Sequence, residues 1–156
     1  MPEPSAANAW LAEHATRLLR WHRHWTGRDL IDPGLPPLEA ARALYQAPFA
    51  VLSHDSAADP EFTYANLTAQ HLFEMSWDEI VGLPSRYSAE PMLREERERL
   101  LARVRDQGFI DDYSGIRIGK SGRRFSIHAA TVWNLFDQAG NPAGQAACFS
   151  DWRRLG

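Results

Sequence analysis

Cysteine is almost absent: Cys148 is the only one in 156 residues. A lone cysteine excludes an internal disulfide framework and any zinc site built from a cysteine cluster. Its apolar neighbours make it a buried small hydrophobe, with a reactive thiol as the alternative. A dominant charge is also lacking. Seventeen Lys and Arg stand against twenty Asp and Glu, giving a formal net charge of −3 and a pI near 6.1. No basic field is available for a phosphate backbone, so direct nucleic-acid binding is not expected. No run approaches the roughly 20 apolar residues that span a bilayer. The amino terminus, MPEPSAANAW, lacks the basic start and apolar core of a signal peptide. A cytoplasmic protein with no membrane partner is the expectation. What is there, 44% apolar and 24% charged residues, suits a globular domain with a real core.

Ala7, Leu11, His14, Leu18, Trp21 and Trp25 recur at alternating spacings of four and three, one stripe of a helix over residues 6–25. The stripe either covers the outer face of a sheet or forms a dimer seam through Leu11, His14, Leu18, Trp21 and Trp25. Gly and Pro in TGRDLIDPGLPP end it, and PLEAARALYQ opens a second helix at its Pro. From Phe49 the period changes. FAVLSH and the stretch from Phe62 read as a hairpin around Asp59-Pro60. Asn66 caps a helix with Leu67, Leu72, Phe73 and Met75 on its buried side, and Ser76 with Glu79 makes a capping box. Gly82 and Pro84 stop that helix pair. Met92 to Arg105 reads as a longer helix whose charge run faces solvent, with Glu95 and Arg99 paired. Beyond Gly108, FIDDYSGIRI, RRFSIHAATVWNLF and GQAACFSDW alternate with period two around the turns KSG and DQAG, a three-strand meander.

This order and its joints resemble the PAS fold, with YANLTAQHLFEMSWDEIVGLP matching the strand-into-helix consensus. SHDSAADPEFTYAN, WDEIVGLPSRYSAEPM, REERERLLARV and ATVWNLFDQAG are similar to the bacterial MEKHLA-domain proteins, a PAS-like family. The resemblance implies an α+β fold, a PAS-like five-stranded antiparallel sheet with central helices on one face and an N-terminal helical extension. Residues 1–47 would form that two-helix extension and 48–156 the PAS-like domain. It further implies a sensory or binding role without established catalysis. The family includes the carboxy-terminal domain of certain plant homeodomain-zipper regulators.

PAS domains hold ligands between the inner sheet face and the central helices. GLPSRYSAE resembles the flavin motif of the LOV subgroup, but Ser85 stands where the photochemical Cys belongs and Pro84 replaces Asn. Arg117, Ile127 and Phe149 occupy the strand positions that would offer amides to a flavin ring. The helix from Met92 carries no haem-binding His. No cofactor is expected, flavin and haem both being disfavoured, and WHRHW is no metal motif because residues two apart on a helix diverge. By alternation Tyr113, Arg117, Ile127, Thr131, Trp133 and Gln145 share the inner face, with Arg86 arriving from the helical side. That set suits a small carboxylate, phosphate or planar molecule. The rival is a core filled by its own side chains. Adjacent pairs such as Asp111-Asp112, and the run Ser53-His54-Asp55, cannot converge on one substrate, so no catalytic residue is named. A stand-alone sensory or small-ligand-binding module is therefore expected, signalling through a protein partner or a homodimer. A filled-core interaction module is the alternative, and an uncharacterised small-molecule enzyme a third reading.

Overall fold

The computed structural model describes residues 2–89 and 94–155. A 3-10 turn (Ala6–Leu11) leads into α1 (Ala12–Thr26) and α2 (Pro37–Tyr45), followed by β1 (Ala50–His54) and β2 (Phe62–Ala65). Then come α3 (Leu67–Phe73), α4 (Trp77–Ile80), a second 3-10 turn (Ser85–Ser88) and α5 (Arg94–Gln107). The chain ends in β3 (Phe109–Ile118), β4 (Arg124–Phe136), β5 (Pro142–Phe149) and β6 (Asp151–Arg154). All pairings are antiparallel, in the spatial order β2-β1-β5-β4-β3. β6 does not widen the sheet. It pairs with β4 in the register of β5, His128 opposite Asp151 where Thr131 is opposite Cys148, so β5 and β6 form one line interrupted at Ser150. The expected start of α5 at Met92 lies outside the described residues.

Asn66 explains the joint between hairpin and helices. Fully buried, its Oδ1 accepts from Val51 N at 3.0 Å and Ala69 N at 3.1 Å. Its amide donates to Leu44 O at 3.1 Å and Phe49 O at 2.8 Å. One side chain thus caps α3, holds β1 and closes the exit of α2. Ser76 and Glu79 form the expected capping box of α4. Leu67 is exposed rather than buried, because Asn66 turns the first helical residue outward.

The amino-terminal stripe lies on the sheet's outer face. α1 begins at Ala12 rather than Ala6, since Ala9, Trp10 and Leu11 take left-handed dihedrals that swing Trp10 onto Tyr45, ring centroids 6.3 Å apart. Leu18 is fully buried in one cluster with Leu44, Val51 and Trp133. His14 Nε2 meets Ser53 Oγ at 3.0 Å, and the indoles of Trp21 and Trp25 donate to Phe136 O and Asn134 O at 3.1 and 3.0 Å. The residues proposed for a dimer seam are therefore engaged by their own sheet, Leu11 included, which packs at the edge of the same cluster. In α1, His22 packs edge-on to Trp133 and His24 against Trp21 and Trp25, so the WHRHW histidines diverge.

A bulge in β4 corrects the expected inner face. Ala129 has φ of 53°, and alternation reverses across it. Phe125 and Ile127 before it, and Ala130 and Val132 after it, all turn toward α3 and α5. Thr131 and Trp133 turn outward instead, Trp133 into the α1 cluster and Thr131 beside its partner Cys148. Cys148 is buried there, and burial pushes its thiol up to about 12, far from reactive.

Candidate ligand cavity

Between α5 and the inner sheet face lies a cavity of about 70 Å³. Four of the seven expected residues line it: Tyr113, Arg117, Ile127 and Gln145. Strand β3 supplies Tyr113 and Arg117 on one face, the Arg117 guanidinium lying 5.2 Å from the Tyr113 ring centroid. Gly115 makes room for this, because a Cβ there would collide with the Tyr113 hydroxyl. Thr131 and Trp133 are excluded by the Ala129 bulge. Arg86 is excluded by an ion pair: it binds Asp59 at 3.1 Å on the surface and covers the Tyr87 ring.

Arg97 and His54 also line the cavity and were not among the expected site residues. Arg97 of α5 is 7% exposed and donates to Ser85 Oγ. Among the described residues no carboxylate stands within ion-pair distance of Arg97 or Arg117. Burial first, then the Arg117 charge, lower the Arg97 pKa to about 10. His54 is the other. Its Nδ1 lies 2.8 Å from Asp55 O, which can only accept, so Nδ1 carries the proton and Nε2 is a bare acceptor. Nε2 is buried with no partner among the described residues, and burial lowers the His54 pKa.

Gln145 faces His54 directly across the β1–β5 ladder. Its amide nitrogen donates to Leu101 O and Asn134 Oδ1, both at 3.0 Å, which fixes its orientation and leaves Oε1 buried and unpartnered. Asn134 in turn donates to Val104 O at 2.9 Å, so the two amides clamp α5 to the sheet. His54, Arg97, Leu101 and Gln145 also border an open groove of about 430 Å³ along the β1 and β5 ends. These four side chains line both spaces. Gly144 lets β5 approach there, because a Cβ would collide with the His54 carbonyl.

The MEKHLA domain model matches residues 12–154. The chain belongs to the MEKHLA-domain family. A homeobox-leucine zipper protein, HOX32 of Oryza sativa subsp. indica, is 24% identical over 147 residues. That match covers 88% of this chain but 17% of the rice protein. Because the matching relatives are from rice, the bacterial branch suggested by the motifs is not supported. The PAS domain of a Colwellia psychrerythraea protein superposes with a TM-score of 0.61 at 17% identity, covering 75% of this chain and 94% of that one. An RNA-binding Light-Oxygen-Voltage receptor superposes with a TM-score of 0.62 at 19% identity, covering 83% and 36%. The MEKHLA chain thus has the fold of PAS and LOV sensory domains.

The cysteine-adduct chemistry of LOV domains has no thiol at position 85. Ser85 in the cysteine position is buried under Arg97, and the cavity is well below the roughly 300–1,000 Å³ of sites for larger ligands. The same volume argues against haem. No three His, Cys, Asp or Glu groups converge on a metal position among the described residues. No helix among them is long and apolar enough to cross a membrane.

Proposed function

We propose that this MEKHLA domain is a non-catalytic sensory module that holds a small anion between α5 and the inner sheet face. Occupancy is passed on by contact with a protein partner or a second copy, in the cytoplasm. The observation that carries this reading is Arg97, a nearly buried guanidinium at a cavity wall with no carboxylate partner among the described residues. A buried cation without a countercharge is costly, and an anionic ligand supplies the missing charge. Arg117 reinforces the positive field from the opposite wall. A net charge of −3 favours protein rather than nucleic-acid contact.

The cavity's small size favours a second reading, an interaction module with a filled core. Native mass spectrometry on protein purified without additives, with melting curves in increasing acetate, formate and chloride, separates the two. An adduct lost on denaturation, or a melting temperature rising with the logarithm of carboxylate but not chloride concentration, supports anion sensing. A clean apo mass with identical curves in all three salts selects the filled core.

A further inference from the structure

The polar groups of the cavity divide into engaged and free. Ser53 Oγ is held between His14 and Thr63 at 3.0 and 2.8 Å, and Ser88 Oγ donates to Ser85 O at 2.7 Å. The groups that remain fall into two complementary sets. Arg97 and Arg117 each make one hydrogen bond, to Ser85 Oγ and Ile116 O, and offer their other donors and positive charge with no carboxylate in ion-pair range among the described residues. His54 Nε2 and Gln145 Oε1 offer two buried acceptors without a donor. Since His54 and Gln145 are direct partners in the ladder, their side chains share the inner face and stand side by side. Buried polar groups left unpaired each cost about 1–3 kcal/mol, so a ligand that meets both sets gains on both.

We infer that the cavity takes a short hydroxycarboxylate, its carboxylate against Arg97 and Arg117 and its hydroxyls donating to His54 Nε2 and Gln145 Oε1. This rests on the anion-sensing reading and specifies its ligand. The planar two-oxygen face of a carboxylate matches a guanidinium fork. Hydroxyl supplies the donor without charge, whereas an ammonium would face two arginines. The 70 Å³ cavity holds about five water-sized positions, the scale of a three-carbon acid.

The test titrates the wild-type full chain by calorimetry with propionate, lactate and glycerate, which carry zero, one and two hydroxyls on the same carbon skeleton, and with alanine. Affinity is expected to rise at least about tenfold from propionate to lactate and again to glycerate, with alanine weaker than lactate. Equal affinity for propionate and the hydroxy acids overturns the hydroxyl inference while leaving anion sensing intact. Alanine binding as tightly as lactate overturns it too. No heat and no competition by any of the four overturns both readings. Where lactate binds, Gln145→Leu should reduce the ratio of lactate to propionate affinity; a ratio undiminished in that variant removes the acceptor pair as its source.

Discussion

The indole Nε1–H of Trp133 donates to the backbone carbonyl of Leu18 at 3.2 Å, fastening the middle of the sheet to α1. Both residues are fully buried in the same cluster. Leu18→Ala should therefore lower stability by about 2–5 kcal/mol, read as the urea midpoint. Trp21→Glu should also destabilise the fold, by removing the bond to Phe136 O, with no loss of a dimer. An unchanged midpoint in both variants would detach α1 from the core.

Asn66→Leu removes the side-chain partner of two buried N–H groups, Val51 and Ala69, and of the Phe49 carbonyl, while Leu44 O keeps the Ala47 N–H. A loss of at least about 3 kcal/mol is expected, with Asn66→Asp intermediate because Oδ1 still serves Val51 and Ala69. Denaturant curves rank the variants. Equal stability of Asp and Leu would show that the acceptor bonds contribute nothing.

Ala129 is exposed and left-handed, so its side chain adds strain without packing. Ala129→Gly should stabilise by up to about 1 kcal/mol, and Ala129→Val destabilise by at least as much. The reverse order in thermal melts would place the bulge elsewhere.

Replacing Arg97, which has no carboxylate partner among the described residues, with Met should leave the ligand-free protein as stable or about 1 kcal/mol more stable, because a buried charge leaves the interior. The same variant should lose its melting response to carboxylates. Strong destabilisation would show that Arg97 is a structural strut through Ser85.

Burial, helped by Arg17, lowers the His14 pKa to about 4. Between pH 4 and 6.5 the unfolded chain binds this proton and the folded chain does not, so stability rises with pH across that window and is lost as pH falls through it. The amplitude is on the order of 3 kcal/mol. His22 and His54, also lowered mainly by burial, add slope of the same sign. His14→Gln should flatten this limb in urea midpoints taken from pH 7 to 4, and an unchanged slope would sink the assignment.

Element order was legible because caps and turns mark it: Asn66, Ser76, Gly82 and DQAG each impose a local conformation that packing then accepts. The site was half legible. Alternation placed Tyr113, Arg117, Ile127 and Gln145 correctly, and it failed at Thr131 and Trp133 because a bulge on alanine leaves no glycine to betray it. Arg97 was hidden in REERERLLARVR, where a charged run reads as a solvated face. Its signal was spacing, since Arg97 lies three before Leu100 and seven before Val104, in line with the helix's buried residues.

At the cavity the sheet is a wall one residue thick. Val132 touches the cavity and the next residue, Trp133, holds α1 on the other side, with no third element between them. Any molecule that pushes on the inner surface of β4 leans, through a single peptide unit, on the amino-terminal helix. Whatever docks against that helix reads the cavity's contents at second hand.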